Sequence, residues 1–230
     1  MTSPQSPTLP DAVLWDMDGT LIDTEPYWMA AETALVASFG GTWTHEQALT
    51  LVGKGLEGSA EILQGGGVRM SVTDIIAHLT AEVARRLHDQ GLPMRPGAAE
   101  MLAALRAAGV PCGLVTMSLR SMAEEVVANL PDGTFDVIVA GDDATRPKPF
   151  PDAYLQACAH FGIEPGRAVA IEDSPTGVRA AVAAGVPTIG VPLLLSLVGT
   201  GAHALWPTLA ERTPDDIAEF HSAHGTRGRA

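Results

Sequence analysis

Short apolar segments alternate with amphipathic ones along much of the chain. The apolar runs have the length and composition of buried strands and cover Ala12–Trp15, Cys112–Val115, Val137–Val139, Ala168–Ile171 and Thr188–Val191. From residue 98 onward, the segments between them have helical periodicity and cover Ala98–Ala108, Leu119–Leu130, Ala153–Phe161 and Pro175–Ala184. Ser118 and Ser174 are expected to cap the second and fourth of these helices. The alternation predicts an α/β fold in which helices cover a parallel sheet.

The interval between the first two predicted strands breaks this rhythm. Roughly 95 residues separate them, whereas a crossover between parallel strands needs only a dozen or more. The interval has no convincing strand but carries several helix signals, namely Thr24 before Pro26, a capping box at Thr44–Gln47 and the periodic run Ser71–Gln90. We therefore expect a core formed by residues 1–24 and 95–230, with residues 25–94 inserted as a small α-helical domain.

Two aspartates follow the first predicted strand. Asp16 and Asp18 lie two residues apart, and Gly19 lets the backbone turn at once, so both carboxylates are able to face one small space. Two such charges repel, and one takes up a proton unless a cation lies between them. The pair therefore indicates a hard divalent metal such as Mg²⁺, an acid–base pair, or both. The plainer alternative is a solvated loop with capping aspartates.

Polar side chains also follow three other predicted strands. Thr116 and Ser118 follow the second strand, Lys148 follows the third, and Glu172 and Asp173 follow the fourth. Because parallel strands end at one edge of a sheet, we expect convergence of Asp16, Asp18, Thr116, Lys148, Glu172 and Asp173. Each has an ordinary structural explanation when taken alone. Together, a hydroxyl and an ammonium suit a phosphate, and four carboxylates suit a metal and a nucleophile.

Composition narrows the class of partner. The net charge of −13 and the pI of about 4.8 argue against a nucleic-acid partner and require any anion site to be locally positive. Cys112 and Cys158 lie in apolar surroundings, which favours buried thiols in a reducing cytosol over a disulfide. We expect a cytoplasmic protein, monomeric by default, without a membrane partner.

The two ends of the chain carry little pattern. The first eleven residues are rich in Pro, Ser and Thr and indicate a loose tail, not a signal peptide. Prolines and a glycine interrupt the apolar run Val186–Val198, so no segment reaches membrane-spanning length. The periodic pattern fades after Leu205, and we expect residues from His221 to Ala230 to be frayed.

The ordered motifs resemble those of a known superfamily. Asp16–Thr20, Thr116, Lys148 and Glu172–Asp173 are similar to the four motifs of the haloacid dehalogenase-like hydrolases. The stretches 145–152 and 171–178 resemble the branch of sugar-phosphate phosphatases and β-phosphoglucomutases. The resemblance spans about Ala12 to Thr208 and implies a Rossmann-like core with an inserted helical cap.

The resemblance also implies a role for each motif residue. Asp16 would attack phosphorus and form an aspartyl-phosphate, while Asp18 would protonate the leaving oxygen and later deprotonate water. Mg²⁺ would be held by Asp16, the carbonyl of Asp18 and Asp173, with Glu172 as a further candidate ligand. Thr116, Lys148 and backbone N–H groups near Met17 and Met117 would bind phosphoryl oxygens. The superfamily's dehalogenases lack the second aspartate, so Asp18 disfavours carbon–halogen cleavage.

The inserted segment departs from the mutases. Trp28 stands where they carry a histidine, and Val52 and Leu56 replace their basic pair, with Lys54 close by in sequence. Thr24, Trp28 and Lys54 are the candidate substrate-binding residues, although Trp28 is equally explained by packing within the cap. We therefore expect a Mg²⁺-dependent phosphatase for a small phosphorylated metabolite, a sugar or polyol phosphate. The alternatives are a hexose-phosphate mutase of the β-phosphoglucomutase type and a non-catalytic module that binds phosphorylated metabolites.

Overall fold

A computed structural model describes residues 7–52 and 54–226. The strands are β1 Ala12–Trp15, β2 Cys112–Val115, β3 Val137–Val139, β4 Ala168–Glu172, β5 Thr188–Gly190 and β6 Ala204–Leu205. The helices before β2 are α1 Glu25–Ser38, α2 His45–Leu49, α3 Leu56–Gly65, α4 Val72–Gln90 and α5 Ala98–Ala107. Those after β2 are α6 Arg120–Ala128, α7 Asp152–Phe161, α8 Pro175–Ala183 and α9 Pro214–His224. The α/β class and the helices around each predicted strand are confirmed.

All strand pairs of the sheet are parallel, and the strand order is β3-β2-β1-β4-β5-β6. The chain therefore moves outward from β1 in one direction through β2 and β3, and in the other through β4 to β6. The register places Trp15 opposite both Leu114 and Ile171, so β1, β2 and β4 end at the same level. This Rossmann-like order creates a crevice at the carboxyl ends of the central strands, which is the usual ligand position in such sheets.

The two faces of the sheet have separate cores, because successive side chains of a strand point to opposite faces. Leu14 belongs to the core formed with α7 and α8. Val13 and Trp15 belong to the larger core, which also includes residues of α5 and α9. Cys112 and Cys158 are buried free thiols, as the sequence predicts.

Helices α1 to α4 occupy the interval that the sequence predicts to be helical. They pack on one another, with α1 and α3 both against α4, and α4 contacts α6 of the sheet region. Their helix starts follow the predicted signals: Gln47 and Thr44 form a reciprocal capping box, and the Ser71 hydroxyl accepts from Asp74 N–H. The two connections to the sheet lie side by side, since Ile22 pairs with Met94 in antiparallel fashion.

Two expectations about helices are wrong. Ser118 does not cap α6; Leu119 occupies the N-cap position, and the Ser118 hydroxyl donates to Asp18 instead. The chain also stays ordered beyond Leu205, because α9 buries Ile217, Ala218 and Phe220 and packs against α5 and β4. His221–His224 therefore belong to a helix, although the expectation of fraying for residues 227–230 lies outside the described residues.

Within the described residues, helices long and apolar enough to cross a membrane are absent. The expected loose tail falls largely on residues 1–6, which lie outside the described residues.

Candidate active site

The carboxyl ends of β1, β2 and β4 bring most of the predicted site residues together. Asp16 directly follows β1 and its N–H donates to the Ile171 carbonyl of β4 at 3.1 Å. Thr116 follows β2, and Asp173 follows β4. Lys148 arrives from the loop after β3 and is only 4 % exposed. The expected convergence at one sheet edge is therefore present.

Lys148 is the electrostatic centre of this edge. Its Nζ donates to Asp16 Oδ1 at 2.7 Å, to Glu172 Oε1 at 2.7 Å and to the Val115 carbonyl at 2.9 Å. These contacts use all three N–H donors of a lysine. Burial by itself would lower the pKa of Lys148, but Asp16 and Glu172 hold it above its ordinary value. Lys148 therefore stays charged and binds two carboxylates from two strands.

Glu172 is buried on all sides and saturated with hydrogen bonds. Its Oε1 accepts from Lys148 and from the Tyr154 hydroxyl at 2.9 Å, and its Oε2 accepts from the N–H and hydroxyl of Ser174. A Cβ on Gly177 would lie 1.7 Å from Oε1, so only glycine allows the first turn of α8 to cover this carboxylate. Four donors fill the acceptor positions of a carboxylate. Glu172 thus positions Lys148 from behind the cavity.

Asp16 and Asp173 are the members of the acidic cluster that line the neighbouring cavity. Ligand oxygens of Asp16, Glu172 and Asp173 all lie within 4.8 Å of one another. Burial raises the pKa of both Asp16 and Asp173, and the neighbouring carboxylates raise each further. Thr20 donates to Asp173 Oδ1 at 3.1 Å, and a Cβ on Gly19, at φ +89°, would lie 2.2 Å from Oδ2. This oxygen-only donor set under excess negative charge fits a hard divalent cation.

Three hydroxyl groups hold Asp18. Thr24 donates to Oδ1, while Ser118 at 2.7 Å and Thr116 at 3.4 Å donate to Oδ2. Thr24 is fully buried and, in the described structure, is not among the residues that line the neighbouring cavity. The structure therefore places this candidate substrate-binding residue on Asp18 instead. Ser118 is predicted from the sequence to follow β2 and to cap the next helix, but not to join the converging residues; its position two residues after Thr116 was the available signal.

A cavity of about 120 Å³ lies between the sheet edge and helices α1 to α4. Its sheet side is lined by Asp16, Asp18, Thr116, Met117, Ser118, Lys148, Asp173 and Ser174. Its helical side is lined by Glu25, Trp28, Glu32, Leu51, Val52, Lys54, Leu56, Ser59, Ile76 and Leu79. The predicted residues Met117, Trp28 and Lys54 are therefore all at the cavity. Glu172 is fully buried and does not line this cavity.

Two glutamates in this lining were not predicted. Glu25 and Glu32 lie seven residues apart on α1 and so share one face of that helix. The pKa of each is raised to about 7, mainly by burial, and the charge of Glu32 contributes to the shift of Glu25. The indole N–H of Trp43 lies near Glu32 and lowers its pKa, but Trp43 Nε1 is not in hydrogen-bonding geometry. Glu32 Oε2 is buried without a partner.

The pH dependence of stability should report the environment of Glu32. Its pKa is about 7 in the folded protein and near 4.5 when exposed, so its contribution is most favourable below about pH 4.5 and is lost as pH rises through 7. Glu32→Gln should therefore be more stable than wild type at pH 8, on the order of 2 kcal/mol, with the difference shrinking towards pH 5. Urea unfolding of both proteins at the two pH values measures this. Lower stability of the variant at pH 8 would mean that the folded protein stabilises the charged carboxylate.

Comparisons with known proteins agree with this geometry. A sequence profile of the haloacid dehalogenase-like hydrolases matches residues 13–191. The chain is 33 % identical over 218 residues to protein CbbY of Cupriavidus necator, covering 87 % of this chain and 86 % of that one. It is 32 % identical over 190 residues to hexitol phosphatase B of Escherichia coli, covering 79 % and 83 %.

The fold is also that of solved relatives. The crystal structure of a CbbY variant from Rhodobacter sphaeroides in complex with xylulose-(1,5)bisphosphate superimposes with a TM-score of 0.79 and 28 % identity, covering 88 % of this chain and 96 % of that one. The profile covers well over half of the chain, including most of β1, all of β2 to β5 and every residue of the acidic cluster. This chain belongs to the haloacid dehalogenase-like hydrolase family.

Proposed function

We propose that this hydrolase is a Mg²⁺-dependent phosphatase that hydrolyses a small phosphorylated metabolite, a sugar or polyol phosphate, through an aspartyl-phosphate on Asp16. Family membership and the phosphatases among its relatives make the chain a phosphoric monoester hydrolase, which excludes a binding module without turnover. The single observation that carries the proposal is Asp16 itself. It is a buried carboxylate, 2.7 Å from the Lys148 ammonium, and it lines a cavity together with Asp18 and Asp173.

The first half of the reaction transfers the phosphoryl group to the enzyme. A carboxylate oxygen of Asp16 forms a bond to phosphorus while the ester oxygen of the substrate leaves. Asp18 gives its proton to that oxygen, so the product departs as an alcohol. The hydroxyls of Ser118 and Thr24 hold the two oxygens of Asp18 and fix the direction of this proton transfer.

The second half releases phosphate. Asp18, now a carboxylate, takes a proton from water, and the resulting hydroxide attacks phosphorus and regenerates the Asp16 carboxylate. A nucleophile on the enzyme divides one slow displacement into two faster ones.

Positive charge at the site must offset the incoming phosphate. Lys148 supplies a positive charge at a fixed position, and its N–H groups would donate to phosphoryl oxygens in place of some of their present acceptors. Thr116 adds a hydroxyl donor. Asp16, the carbonyl oxygen of Asp18 and Asp173 would hold Mg²⁺, which when bound supplies the charge that draws the phosphoryl oxygens towards Asp16. We assign Glu172 to positioning Lys148, because all its acceptor positions are used.

We propose that residues 25–94 act as a cap that admits substrate and sets its selectivity. Two observations support this. The two connections at Ile22 and Met94 lie side by side, as a hinge requires, and ten residues of this segment line the cavity over the catalytic carboxylates. Trp28 and Lys54 would contact the substrate directly.

Removal and return of metal tests the proposed chemistry. Treatment with EDTA followed by desalting should abolish hydrolysis of 4-nitrophenyl phosphate, and Mg²⁺ should restore it, whereas Ca²⁺ should restore little because it prefers more ligands at longer distances. Full activity after chelation would contradict the proposal.

Phosphorus NMR of the Mg²⁺ enzyme with β-glucose 1-phosphate and catalytic glucose 1,6-bisphosphate separates phosphatase from mutase. We expect inorganic phosphate as the product. Formation of glucose 6-phosphate faster than inorganic phosphate would favour the mutase.

The two buried free thiols support a reducing location, and we propose the cytoplasm. The monomeric state expected from the sequence stays a prediction.

A further inference from the structure

A buried carboxylate with one oxygen that lacks a hydrogen-bond partner lines the helical side of the cavity. Glu32 is 4 % exposed, lines the cavity from α1, and its Oε2 has no partner. Burying such a group costs free energy unless something pairs with it. The indole N–H of Trp43 lies close enough to lower the pKa of Glu32 but is not in hydrogen-bonding geometry. Glu32 therefore lacks a hydrogen bond that its burial calls for, and its side chain borders the cavity, where a substrate group can contact it.

Glu32 is part of a larger acceptor surface. Glu25 lies on the same face of α1, two turns away, and Trp28 lies between them. All three line the cavity, together with the buried apolar side chains of Leu51 and Leu79. The glutamates offer acceptors for hydroxyl hydrogens, and the indole offers an apolar face for the C–H groups of a carbohydrate chain.

Resting on the proposed phosphatase function, we infer that Glu32 and Glu25 bind hydroxyl groups of an otherwise uncharged polyhydroxylated monophosphate, and that they exclude substrates with a second phosphate or a carboxylate. The charge around the cavity supports the exclusion. Five carboxyl groups line it in the described structure, Asp16, Asp18, Glu25, Glu32 and Asp173, against the two lysines Lys54 and Lys148.

The positions of the two lysines sharpen the inference. Lys148 is already bound to two carboxylates at the sheet edge, and Lys54 is exposed at the helical side. A second anion on the helical side of the cavity would thus meet two glutamates and one solvated lysine, and like charges at close range are strongly unfavourable. Because both glutamates have a raised pKa near 7, each can accept from a hydroxyl or donate to one.

Matched substrates that differ at the end remote from the phosphate test this. Glucitol 6-phosphate and 6-phosphogluconate differ by a hydroxymethyl against a carboxylate, as do glycerol 3-phosphate and 3-phosphoglycerate. Fructose 6-phosphate and fructose 1,6-bisphosphate differ by a second phosphate. For the wild-type Mg²⁺ enzyme, we expect kcat/KM to be more than about tenfold higher for fructose 6-phosphate than for the bisphosphate. In at least one of the other two pairs, kcat/KM should likewise be more than about tenfold higher for the member without the carboxylate. Hydrolysis of 4-nitrophenyl phosphate reports the proposed phosphatase chemistry separately.

Variants identify the residue responsible. In Glu32→Gln, the preference for the uncharged member should fall by about fivefold or more, because a charged acceptor becomes a neutral amide. The ratio is taken within each protein, so a general change of activity cancels. Glu61→Gln on α3, an exposed glutamate of the same helical segment, is the matched control and should keep the wild-type ratio. Glu25→Gln provides a second variant at a less buried position.

The outcomes are distinct. An enzyme that hydrolyses 4-nitrophenyl phosphate but prefers 6-phosphogluconate, 3-phosphoglycerate or the bisphosphate overturns the inference while leaving the phosphatase intact. The inference is also overturned if none of the uncharged monophosphates is a substrate, or if a folded Glu32→Gln protein keeps the full wild-type ratio. Absence of any metal-dependent phosphatase activity would instead refute the proposed function.

Discussion

Replacing Asp16 with asparagine should abolish turnover while the protein stays folded. The amide oxygen can still accept a hydrogen bond from Lys148, which replaces the 2.7 Å contact that Asp16 makes at the end of β1. The amide cannot attack phosphorus, and the loss of a covalent nucleophile should lower kcat by at least about 10⁴-fold. Steady-state hydrolysis of 4-nitrophenyl phosphate and of the best monophosphate substrate measures this loss.

Stability should move in the opposite direction from activity. Burial and the neighbouring Glu172 raise the pKa of Asp16, which means that the folded protein disfavours its charge. Asp16→Asn should therefore have a thermal midpoint equal to or above that of wild type at neutral pH. Asp132→Asn makes the same chemical change at an exposed turn and should leave both properties unchanged. A folded Asp16→Asn protein with activity within about tenfold of wild type would remove Asp16 from the mechanism.

Replacing Lys148 with methionine should damage both stability and activity. The substitution keeps an unbranched side chain but leaves Asp16 and Glu172 buried beside each other without their shared cation. Breaking a buried ion pair by removing one partner costs about 3–5 kcal/mol. The loss of the positive charge next to the attacking carboxylate should reduce kcat by a further factor of roughly 10²–10³. Urea unfolding and steady-state kinetics measure the two effects.

A double variant separates charge from packing. If the damage comes from unpaired charge, adding Glu172→Gln should recover part of the stability that Lys148→Met loses, giving a non-additive cycle. The chain has one other lysine, and Lys54→Met is the matched control for stability because that side chain is exposed. Equal stability of wild type and Lys148→Met would mean that the two carboxylates are protonated or hydrated without Lys148, contrary to the proposed role.

The sheet-edge part of the site could be predicted because it depends on order and register alone. A parallel sheet ends all its strands at one edge, so Asp16, Thr116 and Asp173 had to lie near one another once their strands were identified. Lys148 was predicted for the same reason, although nothing in the sequence showed that it would bind both Asp16 and Glu172.

The details of hydrogen bonding could not be predicted. Ser118 has the spacing of a helix cap, yet its hydroxyl binds Asp18, because the chain stays extended through Leu119 before α6 begins. Thr24 likewise binds Asp18 from the start of α1. The end of the chain was underestimated since α9 has few apolar residues, and its stability depends on α5 and β4 as partners.

The sequence by itself determined the α/β class, the helical nature of the interval after β1 and the convergence of the polar residues that follow the strands, because these follow from periodicity, spacing and the geometry of parallel strands. Only the tertiary structure decided which face of α1 meets the cavity. A glutamate on a helix has the same local sequence pattern whether its side chain points to water or to a pocket. The packing of α1 against α4 is what places Glu25 and Glu32 at the cavity beside the sheet edge. The same holds for Glu172, whose burial under α8 depends on contacts with Tyr154 and Lys148 from distant parts of the chain.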